Sequence, residues 1–569
     1  MRASVSSVVA ILLLSLPGFA QTTQPARPNI VIIMADDMGY SDIAPYGGEI
    51  ETPNLEKLAS NGVRFTQFYN TARCCPTRAS LLTGQYAHRA GVGHMTWKQL
   101  DLPGYRSDLS HDTPTVAEVL KSSGYSTYMA GKWHVTINDM PDEPKDNWPR
   151  QRGFDRYYGT ITGSGSYYDP RVLVRENDPI SPAGDAAYKP EKYYYTDAIT
   201  DHSVQYIREH KTTAANKPFF MYVAYTAPHW PMHAPEEAIA KYKGKYDGGY
   251  EPIRAARIER MRAMGLIDPK WEPAGANLAE EWAKQPNKEW EARCMEVYAA
   301  MITQMDAGIG KIVSALTESG QLDNTLILFL SDNGGCDEAN GRAAGRPKRD
   351  TNPPDHKLTD TQWMSRPMVT RDGRPVRSGP KVMPGGDDTF IAYGKNWATV
   401  SNTPFREYKH YVHEGGISAP LIAHWPAGMT RRNAWEKQPG HVIDLMATCL
   451  DVAHISMPEQ FNGKPTTPLA GASLVPALSG NPLDRTSPIF WEHEGNRAVR
   501  DGKWKLVAKG IKGAWELYDI EADRTESNDL AARDPDRANA MAGKWQKWAE
   551  ANNVLPLNPW DTASGATSE

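Results

Sequence analysis

Residues 73–84, RCCPTRASLLTG, hold the side chains whose order best suits chemistry. Cys74, Pro76 and Arg78 form a Cys-x-Pro-x-Arg pattern, followed by the small and apolar Ala79, Ser80, Leu81 and Leu82. Proline fixes φ and lacks an N–H, so it belongs in the first turn of a helix. Cys74 is therefore expected just outside a helix N-terminus, where free N–H groups and the helix dipole favour an anion. Arg78, about one turn further on, can reach back toward the same spot. A cysteine in such a place is by itself an ordinary core residue, and Cys75, in the variable position of the pattern, is read that way. Other reactive side chains stand in short polar runs: Asp36-Asp37, Gly131-Lys132-Trp133-His134, Pro228-His229, Asp332-Asn333, and Lys409 ahead of His413-Glu414-Gly415-Gly416.

Most of those runs fall where strands stop. Residues 28–35, PNIVIIMA, suit a strand buried on both faces, as in a parallel sheet, and end in Asp36-Asp37. Open α/β sheets place ligands at that carboxyl end. Thr52-Pro53 reads as an N-cap and first-turn proline, with Leu55 and Leu58 on one helix face and Gly62 closing it. A strand over 63–69 leads into the cysteine motif. The alternation repeats through helix 113–123 and strand 125–131, helix 196–210 and strand 218–226, and helix 291–319 and strand 325–330. It predicts an α/β fold whose large, mostly parallel central sheet is flanked by helices. From Cys336 to Thr403 periodicity is lost; a strand over 420–425 and a helix over 442–454 follow. From about residue 488, short alternating strands and a helix over 535–551 predict a smaller C-terminal domain with an antiparallel sheet.

The net charge of −5 over 569 residues argues against a nucleic-acid partner, and any anionic substrate then needs a local cluster of cations. Charged residues make up 23% of the chain and mean hydropathy is −0.57, which suits a soluble mature protein. Five cysteines, Cys74, Cys75, Cys294, Cys336 and Cys449, are an odd count in a large chain, so no disulfide scaffold is expected. Residues 1–20 have a signal-peptide layout: Arg2, an apolar run over 8–16, and small residues around Gly18 and Ala20. That run is too short to span a membrane, and the mature chain is expected to be exported, periplasmic or secreted, without a span.

The motif CCPTRASLLTG resembles the signature of the type I sulfatases of the alkaline phosphatase superfamily. The resemblance extends, in the family's order, to Asp36-Asp37-Met38-Gly39-Tyr40, Gly131-Lys132-Trp133-His134, Ala227-Pro228-His229, Ser331-Asp332-Asn333-Gly334 and Glu414-Gly415-Gly416. The SNTPFR and HEGG runs look most like bacterial arylsulfatases. The resemblance implies a sulfatase domain over 27–480 and a small α+β domain over 481–569. It also implies that Cys74, not Cys75, is oxidised to Cα-formylglycine by a separate maturation enzyme. One hydroxyl of the hydrated aldehyde would attack sulfur, giving a covalent sulfate ester; a base then takes the proton from the second hydroxyl and sulfate leaves. Serine, with one oxygen on that carbon, has no such second step.

Asp36, Asp37, Asp332 and Asn333 offer three carboxylates and an amide oxygen, a set suited to a hard divalent cation. The resemblance favours Ca2+ over Mg2+. Arg78, Lys132 and Lys409 would be the required cations, aimed at the sulfuryl oxygens. His134 would serve the nucleophile and the later elimination, and His229 with Lys409 the leaving oxygen. His88, His94, His233 and His413 are read as structural, His413 being the one with the most suggestive neighbours. The expected activity is hydrolysis of an aryl, alkyl or carbohydrate sulfate ester. The alternatives are a phosphonate monoester or phosphodiester hydrolase of the same superfamily, and a catalytically silent protein that binds a sulfated ligand. The loop-like stretches 163–190 and 336–400 are expected to set specificity.

Overall fold

The computed structural model describes residues 27–140, 142–275, 278, 280–343 and 357–557, so the expected signal peptide lies outside the described residues. The main sheet is built from β1 (Asn29–Ala35), β2 (Val63–Tyr69), β3 (Ser126–Gly131), β4 (Arg156–Thr160), β5 (Leu173–Arg175), β6 (Asp178–Pro179), β7 (Phe219–Ala224), β8 (Thr325–Ser331), β9 (Ser418–His424), β10 (Ala434–Glu436) and β11 (Gly440–His441). Its order is β10-β2-β9-β8-β1-β7-β3-β4-β5-β6, with β11 also on β2. The four central strands β8, β1, β7 and β3 are mutually parallel and almost wholly buried, which is why their sequences read as unbroken apolar runs.

Helices cover both faces. They include α1 (Pro53–Ser60), α2 (Cys74–Thr83), α3 (Val116–Ser122), α4 (Tyr195–Thr213) and the 31-residue α5 (Lys288–Glu318). One apolar cluster lies under α1, α4 and α5, and a second lies on the opposite face around α2 and α3. A four-stranded antiparallel sheet, β12 (Ile489–His493), β13 (Asn496–Asp501), β14 (Trp504–Ala508) and β15 (Glu516–Asp519), packs with a helix at Pro535–Ala551. The α/β architecture and the C-terminal sheet are thus as the sequence predicts.

Three details differ. Cys74 is the first residue of α2, not the residue outside it; Arg73 is the N-cap, and Pro76 still falls among the first turn's free N–H positions. Strand β9 runs antiparallel to both β2 and β8, and β4, β5 and β6 form an antiparallel edge. Order also resumes before Asn402, in a helix at Lys395–Ser401 whose Trp397 is buried and donates to the Glu291 carbonyl at 2.8 Å. Seven residues are too few for an amphipathic period to show.

Candidate active site

Sheet topology gathers the predicted residues at one edge. The carboxyl ends of β8, β1, β7 and β3 open on the same side because the strands are parallel. Strand β2 points the same way, since β9 lies antiparallel between it and β8. The edge therefore receives Asp36 and Asp37 after β1, Lys132 and His134 after β3, His229 after β7, Asp332 and Asn333 after β8, and Cys74 and Arg78 after β2. Lys409 arrives there because β9 begins at this edge. Gly131 is required at the β3 end: its φ is +114°, and a Cβ would stand 2.0 Å from the Ala224 oxygen.

Cys74 Sγ lies 3.4 Å from Asp36 Oδ1. One ligating atom each from Asp36, Asp37, Cys74 and His229 lies within 4.8 Å of the others, all buried, so this is a possible metal-binding cluster. Lys132 Nζ donates to Asp36 at 2.5 Å, Lys409 Nζ lies 2.9 Å from Asp37, and Arg78 Nη2 donates to Asp332 at 2.9 Å. Asn333 Nδ2 donates to Asp37 at 2.7 Å, while its buried Oδ1 has no hydrogen-bond partner among the described residues. His229 Nε2 stands 3.5 Å from Asp37 and 3.4 Å from Lys409 Nζ. His134 is held differently. Its φ is +57°, its ring packs where a Cβ on Gly163 would be (2.2 Å from Cε1), and its buried Nδ1 has no hydrogen-bond partner among the described residues.

Residues 28–455 match the Sulfatase family, and residues 406–551 match the family described as N-sulphoglucosamine sulphohydrolase, C-terminal. The chain belongs to the sulfatase family. It is a sulfuric ester hydrolase. An arylsulfatase of Klebsiella aerogenes is 34% identical over 483 residues, which span 83% of this sulfatase and 95% of that protein. An uncharacterized sulfatase of Schizosaccharomyces pombe is 33% identical across 95% of this chain and 96% of its own. Among solved structures, the complex of Ps i-CgsB with k-i-k-neocarrahexaose superposes with a TM-score of 0.61 at 24% identity, covering 95% of this chain and all of the other. The phosphonate monoester hydrolase of Agrobacterium radiobacter follows at a TM-score of 0.54 and 19% identity, over 92% of this chain and 96% of that one. These last two share the fold. No helix among the sulfatase's described residues is long and apolar enough to cross a membrane.

The electrostatics of the sulfatase's pocket follow from dry packing of three carboxylates against three cations. Burial alone would raise the Asp36 pKa, but Lys132, His229, Arg78 and Lys409 together hold it well below the carboxylate range. Burial and the neighbouring Asp36 push Asp332 up to about 7, despite Arg78 and Lys132. Burial also pushes the Cys74 thiol well up, against the opposing pull of Lys132 and Lys409. Both histidines are lowered, His134 by burial and then Lys132, and His229 by burial and Lys409 against Asp37.

Several partners carry no signal of their own in the sequence. Thr77 Oγ1 donates to the Asp332 carbonyl at 2.7 Å and accepts from Thr71 N at 3.0 Å. Tyr222 OH accepts from Arg78 at 3.3 Å. Glu338, in the aperiodic stretch, accepts from Trp230 Nε1 at 2.7 Å and pairs with Arg73 at 3.0 Å. Glu414 is a buried hub that meets Lys505 at 2.9 Å and Arg524 at 3.1 Å, tying the C-terminal sheet to the pocket wall. His413 belongs to that contact: its Nε2 is 3.5 Å from Glu516. Cys75 packs against Met95 and Thr96.

Proposed function

We propose that position 74 carries the nucleophile as Cα-formylglycine and that Asp36, Asp37, Asp332 and Asn333 hold Ca2+ beside it. The observation that carries this reading is the placement of Cys74 Sγ, which stands in for the reacting oxygens, 3.4 Å from Asp36 Oδ1 in a buried pocket. A thiol whose pKa burial has raised is a poor nucleophile, so the pocket suits a different group at that position. Oxidised to the aldehyde and hydrated, the side chain supplies two hydroxyls on one carbon, one to attack sulfur and one to release sulfate afterwards. The buried, unpartnered Asn333 Oδ1 fits a cation ligand, and three carboxylates with an amide oxygen are a hard, all-oxygen set that favours Ca2+. A divalent ion there supplies positive charge against the sulfate oxygens.

The chain's own residues do the rest. Arg78, Lys132 and Lys409, buried and already held by their carboxylate partners, hold the charge of the sulfuryl group with little reorganisation in the transition state. Arg78 is fixed from two sides, by Asp332 and by the Lys132 carbonyl at 3.0 Å. His229 and Lys409 pass a proton to the leaving oxygen, and His134 takes one from the nucleophile. The leaving group meets Trp230, next to His229, whose ring lies 5.6 Å from Phe390 with the Arg366 guanidinium over both. That surface suits an aryl group or a sugar ring, in keeping with the arylsulfatase relative and with the neighbour solved with its substrate D-glucosamine-2-N,6-O-disulfate. Export past the signal sequence and contact with a maturation enzyme belong to the same reading, as does the domain boundary near residue 481.

Mass analysis of the peptide spanning residues 73–78 tests the modification: aldehyde in place of thiol is expected, together with complete loss of turnover in Cys74→Ala. Unmodified Cys74 in fully active protein would overturn the assignment. Turnover of nitrophenyl sulfate against an aryl phosphodiester separates this reading from the phosphodiesterase alternative.

A further inference from the structure

We propose that His410, His493 and Glu494 form a second metal site, for a divalent transition ion of the Zn2+ class, at the rim of the active site. The site is distinct from the oxygen cluster at Asp36, Asp37, Asp332 and Asn333. A two-residue hairpin turn builds half of it: Glu494 and Gly495 have φ of +48° and +86°, and the flanking His493 and Asn496 are paired across β12 and β13. This turn presents His493 and Glu494 side by side. His410 comes from the catalytic side; it follows Lys409, and its N–H donates to the Ala72 carbonyl at 2.8 Å, two residues before Cys74.

The three side chains are spaced as co-ligands. His410 Nδ1 lies 3.2 Å from Glu494 Oε2, His493 Nε2 lies 3.7 Å from Glu494 Oε1, and one ligating atom of each lies within 4.8 Å of the other two. Tetrahedral ligands held at about 2.0–2.2 Å from Zn2+ stand roughly 3.3–3.6 Å apart. A small rotation of the partly exposed His410 or Glu494 closes the widest separation.

The second observation is independent of that spacing. His493 is completely buried, yet among the described residues neither ring nitrogen has a hydrogen-bond partner. An imidazole normally satisfies at least one nitrogen when it leaves water, because an unmade bond there is destabilising. A metal ion at Nε2 removes that cost. The nearby Arg73 guanidinium opposes a cation; its ion pair is with Glu338 at 3.0 Å, and its field acts on both Glu338 and Glu494. Two imidazoles and one carboxylate are a borderline donor set, which separates this site from the all-oxygen cluster that suits Ca2+.

The test uses the full-length, tag-free protein loaded with Ca2+ and titrated with ZnCl2, with bound zinc counted by elemental analysis after gel filtration. Co2+ serves as a spectroscopic probe of nitrogen ligation. The expected result is one zinc per chain beyond calcium, with affinity reduced at least about tenfold in His410→Gln and in Glu494→Gln. These two residues are partly exposed and their variants are expected to fold; His493→Gln is read only if its circular dichroism matches the parent. Unchanged zinc affinity in both variants, or zinc lost instead with Asp37→Asn, would overturn the proposal, as would failure of the parent protein to retain zinc.

Discussion

His229 stands with Nδ1 2.6 Å from the Trp230 carbonyl oxygen and Nε2 3.4 Å from the Lys409 ammonium. A carbonyl only accepts, so Nδ1 carries the proton of the neutral ring and Nε2 keeps its lone pair. The tautomer is thus set by the backbone of the next residue, and the ammonium stands beside the nitrogen left with its lone pair. In the proposed mechanism the two groups would act as one proton relay to the leaving oxygen.

That relay makes a prediction about leaving groups. His229→Gln and Lys409→Ala should each lower kcat by about 10²–10⁴-fold, and the double variant by less than the product of the two. The loss should be steeper for an alkyl sulfate, whose alkoxide needs the proton, than for nitrophenyl sulfate. A series of esters with graded leaving-group pKa checks this; an equal loss along the series would remove the relay.

Thr77 is predicted to matter through the Asp332 carbonyl and the Thr71 N–H that it bridges. Thr77→Val strips the Asp332 carbonyl and the Thr71 N–H of their shared partner in a buried place. A cost of about 1–3 kcal/mol in stability is expected, with a weaker hold on the divalent ion by about tenfold. Urea denaturation and a calcium titration measure the two effects separately.

The parts legible in the sequence share a physical character. Buried parallel strands must be apolar along their whole length, so β1, β7 and β8 announce themselves, and the polar residue after each marks the functional edge. The Pro76 and Arg78 spacing reports a helix start because the covalent restriction of proline is local. What was not legible is set by tertiary pairing. The direction of β9 depends on which strands it meets, not on its own residues. Thr77, Glu338 and Tyr222 are ordinary residue types whose roles exist only once distant segments meet. Glu414 was visible in a motif, but its task, joining two sheets through Lys505 and Arg524, was not.

Glu414→Gln should therefore be a stability variant. It leaves the buried Arg524 short of a counter-charge: Lys505 keeps Glu526 at 2.8 Å, whereas Arg524 keeps the neutral oxygens of Thr66 and Ser418 and the rings of Tyr40 and Phe405. Breaking such a buried network from one side costs about 3–5 kcal/mol. Thermal unfolding with the nitrophenyl sulfate KM measured alongside distinguishes loss of packing from loss of substrate binding.

Removing the divalent ion should abolish turnover without unfolding the chain. Lys132, Lys409 and Arg78 each already pair with one of the three carboxylates, at 2.5, 2.9 and 2.9 Å, so the cluster is internally neutralised. A chelator is expected to leave circular dichroism intact and activity absent. Returning Ca2+ at roughly a hundred times its Kd should restore activity and about 2.7 kcal/mol of stability.

Acid should destabilise this protein above the range in which ordinary carboxylates titrate; Asp332, raised to about 7, opposes the loss as one group against five. Burial lowers His94, His202 and His441 to about 3 and His233 and His424 to about 4, whereas the unfolded chain titrates near about 6.5. Between those values the unfolded state binds protons that the folded state refuses, so stability falls as pH drops below about 6.5 and is unaffected above it. Each such group removes up to about 1.4 kcal/mol per pH unit, and five acting together make the loss several kcal/mol by about pH 5. Glu516 adds to the loss only at lower pH: burial opposes, but the nearby His413 ring, the hydrogen bond from Tyr518 and the Arg406 guanidinium hold it down to about 2, and the stability it gives is lost as pH falls from about 4.3 toward that value. Urea midpoints measured from neutral pH down to about 5 should therefore slope steadily; a flat profile would mean that these imidazoles take up protons in the folded protein, and so are not shielded from water as their packing requires.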